Sequence, residues 1–240
     1  MPYPRLMYRQ AMRMRQTIRT SSFERHGHSE PYAALVLSGG YEEAGDKGRF
    51  RVSAGHVVFH DSFEAHLNRF YVQGATVLNL PLASSTYYPA GIARLADPDA
   101  VARMAENSGR AAADLLISLV ERCTFQFADW PDELAARLVQ CPSLKLAQWG
   151  EEHGLAPWTL SRGFAQVFEI SPEAFRARIR ARQALRSIQN TPTPLAEIAA
   201  QLGFADQAHM TRSVKQLTGI PPLAWRSAAN GFKTGRQRAH

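Results

Sequence analysis

Arg162 and Arg212 carry guanidinium forks that can hold guanine by two parallel hydrogen bonds, and Gln207 carries an amide that can hold adenine in the same way. Other polar and aromatic side chains accompany them. Trp158 offers an apolar face for a thymine methyl, Ser161 a hydroxyl, and His209 a ring nitrogen for a base or a phosphate. Lys215 stands one helical turn beyond Arg212 and suits a phosphate oxygen. Such side chains read sequence only when a rigid element lays them along base edges, while phosphate contacts fix register. The chain must therefore supply helices that present these residues outward.

Residues 144–226 supply them as an internal duplication. Leu146 aligns with Leu195 and Gly154 with Gly203 at an offset of 49. Beyond the turn the offset becomes 50: Leu160 falls on Met210, Arg162 on Arg212, Phe164 on Val214, Ile170 on Ile220, Pro172 on Pro222, Phe175 on Trp225 and Arg176 on Arg226. Each copy reads as helix, glycine turn, helix, the pattern of a helix-turn-helix unit. Gly154 and Gly203 stand where a helix ends in a left-handed residue. In the second helix of each copy, Leu160, Phe164 and Phe168, then Met210, Val214 and Leu217, form apolar stripes at helical spacing. The opposite faces present Trp158, Ser161 and Arg162, then Gln207, Ala208, Arg212 and Lys215.

A recognition helix lies in the major groove with its N-terminal residues at base edges. The expected base readers are accordingly Trp158, Ser161, Arg162, Gln207, His209 and Arg212. Ser171 and Pro172 begin a long helix, with a cap and a first-turn proline. Phe175, Ile179 and Ile188 are its apolar positions, and Arg176, Arg178, Arg180, Arg182 and Arg186 make it basic. This connector is expected to set the two recognition helices in successive major grooves, about 34 Å apart. Arg176, Arg180 and Lys215 are the expected phosphate contacts.

The charge distribution agrees. Residues 1–142 hold 15 basic and 15 acidic side chains, and residues 143–240 hold 13 and 6, so the whole formal charge of +7 belongs to the second part. Excess positive charge on one half points to a polyanion. There is no apolar run long enough to span a bilayer, and the basic start (Arg5, Arg9, Arg13, Arg15, Arg19) lacks the apolar core of a secretory signal. Those arginines read as a solvated arm, and a cytoplasmic location without membrane contact is expected. Cys123 and Cys141 are too few for a disulfide framework and lack metal-site spacing.

On these residues the chain resembles the AraC/XylS family of bacterial transcription regulators. The likeness spans roughly 143–226. It is most specific at Leu195 through Arg212, with the Gly203-Phe204 turn and the Asp206-Gln207 helix start, and at the Gly219-Ile-Pro-Pro222 exit. The first copy departs from the pattern: Glu169 replaces the exit glycine, and Gly163 sits inside the recognition helix, which suggests a less rigid reader.

The first 90 residues alternate short apolar segments with turns (Tyr32 to Leu37, Arg49 to Val52, His56 to His60, Val72 to Leu82), as a sandwich or barrel does. The polar stretch from Glu42 to Lys47 reads as a break. The resemblance implies a cupin-like barrel over 20–85 that senses a small molecule. Metal-binding cupins use a His-x-His pair, a downstream Glu and a later His. His26, His28 and His66 match the histidines, while the Glu position falls near Tyr32, which cannot replace a carboxylate simply. The implied metal, if one binds, is Zn, Fe or Ni. Tyr32, His60 and Phe63 are the expected effector-pocket residues.

Helical segments follow from Asp97, with Leu115, Leu116 and Leu119 as a possible dimer surface, and a further helix begins near Asp129. The expected fold class is α+β in two domains. It comprises a basic arm (1–20), a cupin-like sensor barrel (21–90), a helical segment (91–142), an all-α double helix-turn-helix domain (143–228) and a basic tail (229–240). The expected partners are double-stranded DNA, a small-molecule effector, a second copy of the chain and RNA polymerase. No nucleophile triad or phosphate loop stands out, so no enzymatic activity is expected. The competing expectation is a cupin metalloenzyme with a DNA-binding appendage, against which the missing Glu argues.

Overall fold

The computed structural model describes residues 13–19, 21–83, 91–122, 129–141 and 143–227. Most of the basic arm, Cys123, Pro142 and the basic tail lie outside the described residues. The chain divides into two compact units, one of residues 1–136 with 163–169 and one of residues 137–162 with 170–240. The division at 136/137 precedes the boundary expected at Cys141–Ser143.

The first unit is built on an antiparallel β-sheet. Its strands are β1 (Arg15–Ile18), β2 (Ser22–Gly27), β3 (Tyr32–Gly45), β4 (Gly48–Ser53), β5 (His56–His60), β6 (Ala65–Pro81), β7 (Gly91–Leu95) and β8 (Val120–Arg122). The sheet runs β1-β6-β3-β5-β7-β8, with β2 also on β6 and β4 also on β3. Two long strands organise it. β3 pairs with β5 through Tyr32–Leu35 and with β4 through Gly40–Gly45, and it changes register against β6 near Val36/Ser38 and Gly39/Tyr41. Such bulges bend a strand and let it serve two sheet segments.

Period-two alternation then divides the core. Ala33, Leu35, Val57, Phe59, Leu78 and Leu80 face helices α1 (Pro98–Asn107) and α2 (Gly109–Ser118). Tyr32, Ala34, Val36, Val58 and Val77 form a separate cluster with Tyr41. Asp97 caps α1 by accepting from the Ala100 amide at 2.8 Å, with Pro98 in the first turn, as the sequence suggests.

Several expectations change here. The segment from Glu42 to Lys47 is not a break, because β3 runs on to Gly45, with Glu43 opposite Phe50 on one side and Asn68 on the other. Arg15–Ile18 leave the arm to pair with Ala75–Leu78 of β6. Helix α2 ends at Ser118, and β8 begins two residues later. Leu116 is fully buried, and Leu115 and Leu119 pack against the same core as α1. The apolar stripe expected at a dimer surface is therefore used within the chain.

Helices follow β8. Helix α3 (Trp130–Gln140) leads to α4 (Leu146–Glu152), α5 (Pro157–Phe168), α6 (Pro172–Asn190), α7 (Leu195–Gln201) and α8 (Gln207–Thr218), and residues 222–227 are helical again. The first unit takes α3 up to Ala136 and α5 from Gly163, and the second unit takes the remainder. Gly154 and Gly203, the expected turn glycines, have φ of 65° and 69°. Lys145 precedes α4, without a side-chain cap. Ser171 caps α6 by accepting from the Ala174 amide, and Asp206 caps α8 by accepting from the His209 amide at 2.6 Å. No helix among the described residues is long and apolar enough to cross a membrane.

Candidate DNA interface and barrel cavity

The apolar stripes read in the sequence point inward. Leu160, Phe164 and Phe168 of α5, and Met210, Val214 and Leu217 of α8, are all buried. Burial of one face fixes the other. Trp158 is 69 % exposed, and Arg162, Gln207, Arg212 and Lys215 are exposed, while Ser161 and His209 are half-buried. His209 packs edge-on against Phe204, with ring centroids 5.4 Å apart, and its amide is held by Asp206. Its ring therefore has a packing role beside any contact to DNA. Helix α5 runs unbroken through Gly163, where a Cβ would come within 2.5 Å of the Trp130 indole. That glycine answers a packing demand and does not loosen the helix. At Glu169, φ is 53°, and at its repeat partner Gly219 it is 84°: the first copy keeps the left-handed exit with a side chain on it.

Arg176 and Arg180 correct the sequence reading. The Arg176 guanidinium donates to the Leu144 carbonyl at 3.0 Å. Arg226, its repeat partner, donates to the Thr193 carbonyl at 2.7 Å, and Thr193 is the repeat partner of Leu144. The duplication thus extends to the contact that ties the end of each copy to its beginning. Arg180 donates to the Gly203 carbonyl at 2.8 Å and lies 5.3 Å above the Phe204 ring. Arg178 and Arg182 are buried. Much of the positive charge of α6 is turned into the domain. Arg176→Ala is expected to lower the stability of the helical unit by about 1.5–3 kcal/mol, the worth of a hydrogen bond from a charged donor. The salt dependence of DNA binding should be unchanged. A loss of about one counterion from the salt slope, without destabilisation, would restore the phosphate reading.

In the first unit the strands enclose a cavity of about 450 Å³, lined among others by His26, His28, Tyr32, Glu43, His60 and His66. Tyr32 and His60 stand where a pocket was expected. Phe63 does not: it is buried in the β5–β6 turn with φ of 59°, its amide donating to the His28 carbonyl at 2.7 Å, and it is absent from the cavity wall. His26 and His66 rings lie 4.5 Å apart, and His60 and His66 rings 4.3 Å. Burial, reinforced by the neighbouring histidines, holds His66 well below the usual imidazole range. Burial also lifts Glu43 to about 7, against the opposing pull of the His60 ring, and lifts Tyr32 well above the usual phenol range.

Glu43 is the residue that sequence reasoning missed. It belongs to the stretch read as a break, yet Tyr41 and Glu43 continue the inward alternation of β3, and that period of two was the available signal. A carboxylate does stand among the histidines, so the argument from its absence against metal chemistry falls.

The helix-turn-helix domain family matches residues 149–228. Those residues contain both glycine turns and both outward-facing helices. Residues 149–228 are a helix-turn-helix domain. The chain accordingly carries a helix-turn-helix domain after an antiparallel β-structure. No curated protein matches the chain significantly. Among solved structures it is similar to the C-terminal domain of AraT, a response regulator from Geobacillus stearothermophilus, at 24 % identity over 42 % of this chain and 88 % of that one, with a TM-score of 0.37. It is similar to ToxT from Vibrio cholerae at 9 % identity over 90 % of this chain and 97 % of that one, with a TM-score of 0.40. A probable AraC family transcriptional regulator from Rhodopseudomonas palustris shares 19 % identity over 40 % of this chain and 97 % of that one, with a TM-score of 0.36.

Proposed function

We propose that the AraC-type domain reads a specific DNA site through two recognition helices, α5 and α8, and that a small molecule bound in the barrel cavity governs this binding. The observation that carries the reading is the pair of outward faces: Trp158 and Arg162 on α5, and Gln207, Arg212 and Lys215 on α8, each opposite a fully buried stripe. Neither Arg162 nor Arg212 makes a hydrogen bond or ion pair to another described residue, so their forks are available to guanine. Ser161 and His209 flank them as secondary base contacts, and Lys215 is the phosphate contact of α8. The cavity supports the sensor role by its size, which falls in the range of small-ligand pockets. RNA polymerase is the partner through which such a regulator acts, and a single chain with two readers does not need a second copy to hold DNA.

The test is the site preference of the full chain and its Arg212→Ala variant, measured by selection from random duplexes. The wild type should select one site. Arg212→Ala should lose about 1–3 kcal/mol of discrimination at one base pair while keeping the rest of the site. Equal weakening on every sequence would mark the domain as a non-specific basic binder and sink the reading.

A further inference from the structure

We infer that the barrel cavity holds a divalent transition-metal ion on Glu43, His60 and His66. Each offers one ligand atom, and the three atoms lie within 4.8 Å of one another. His60 Nε2 and Glu43 Oε2 are 3.7 Å apart. With metal–nitrogen bonds of about 2.0–2.1 Å, two ligands at a tetrahedral angle stand about 3.4 Å apart, so this pair is already near the spacing an ion would impose. All three residues are buried. Both ring nitrogens of His60, and Nδ1 of His66, are enclosed without a hydrogen bond to any described residue. Buried polar atoms in native proteins are ordinarily satisfied, and a cation would take one nitrogen of each ring, leaving His60 Nδ1 to Glu64.

The surroundings have the form of an outer ligand shell. Glu64 Oε1 stands 3.6 Å from His60 Nδ1, the nitrogen facing away from Glu43, and Lys47 Nζ lies 3.0 Å from the other Glu64 oxygen. A carboxylate behind a histidine fixes which nitrogen meets the metal and raises its basicity. Asn68 Nδ2 donates to Glu43 Oε2 at 3.0 Å and holds that carboxylate in place. The donor set of two imidazoles and a carboxylate suits Zn, Fe or Ni and disfavours Mg and Ca, which take oxygen ligands. His26, His28 and His66 form an adjoining cluster. It matches the histidine positions of the cupin pattern, whereas neither Glu43 nor His60 stands at a patterned position. The inferred site therefore shares His66 with that cluster and takes its other two ligands, Glu43 and His60, from outside the pattern.

The inference does not depend on how the chain reads DNA, and the test keeps the two apart. The full chain is stripped with a chelator, then titrated with Zn(II), and with Co(II) as a visible-absorption probe, while affinity for its selected DNA is measured on the same preparation. One tightly held ion per chain is expected, retained through gel filtration, with a Co(II) ligand-field band. Glu43→Gln and His60→Asn should each weaken Zn(II) binding on the order of 10–100-fold or more, since even outer-shell changes cost that much. His28→Ala should weaken it less than either. A wild-type chain that retains no ion overturns the inference whatever the variants do. So does a larger loss in His28→Ala than in both Glu43→Gln and His60→Asn, because the ion would then belong to the adjoining histidines. If one variant fails to fold by circular dichroism, the other and the wild-type stoichiometry still decide. Sequence-specific DNA binding without a retained ion would leave the regulator standing and remove the metal alone.

Discussion

Phe175→Ala is expected to destabilise the helical unit by about 3–5 kcal/mol, the range for a buried Phe replaced by Ala. Phe175 lies in the first turn of α6 and is fully buried, in the helix that packs against both α7 and α8. Its ring cannot be replaced from within, because close-packed side chains around a void relax only partly. A domain stabilised by roughly 5–15 kcal/mol in total cannot lose this much and keep its recognition helices in place at physiological temperature. The readout is chemical denaturation followed by helical circular dichroism, beside DNA affinity. Both should fall together. The contrasting variant is Trp158→Ala. With its side chain 69 % exposed, stability should stay within about 0.5 kcal/mol, so any DNA defect would report contact. A destabilisation below about 1.5 kcal/mol for Phe175→Ala would show that α6 is not the centre of this unit's core.

The difference between these two aromatic side chains was legible before any coordinates, and the reason is local. A helix-turn-helix unit is specified by residues within about 25 positions of one another: a period near 3.6, a turn glycine and a cap. Duplication doubles the signal, so that Arg212 and Arg162 mark the same place on two helices. The same locality misled at Arg176 and Arg180. A basic helix in sequence is a statement of composition, and long guanidinium side chains can turn back to a carbonyl as readily as outward to a phosphate. Only the fold shows that Arg176 reaches Leu144 and Arg226 reaches Thr193.

The barrel was legible as a β-rich class but not as a site. His60 and His66 come from two strands, and the carboxylate that joins them lies on a third, beyond a bend in β3. A motif search places the carboxylate a few residues after His28, near Tyr32. The fold instead brings it from Glu43, because β3 continues through its bulge and returns along β4. Nonlocal pairing of this kind follows from register, and register is set by the whole hydrophobic face and its bulges rather than by neighbouring residues.

That bend makes the second large prediction. Gly39 has φ of 70°, and a Cβ there would stand 2.0 Å from the Gly74 carbonyl oxygen, while a Cβ on Gly74 would stand 2.2 Å from the Ile18 carbonyl oxygen. β3, β6 and β1 thus meet at a point where the backbones approach too closely for any side chain. Gly39→Val adds left-handed strain, of order 1–3 kcal/mol, to an overpacking cost of about 1–3 kcal/mol, so a destabilisation of about 2–6 kcal/mol is expected for the barrel. What remains folded should have β3 displaced beyond residue 39, which carries Glu43 away from His60 and His66. Denaturation of the barrel, followed by the aromatic circular dichroism of its core, should move to lower denaturant. The helical unit should keep its intrinsic affinity for DNA, because its core contains none of these strands. A stability change under about 1 kcal/mol would mean that the strands can part here without consequence, and Glu43 would then be held against the histidines by something other than the bend in β3.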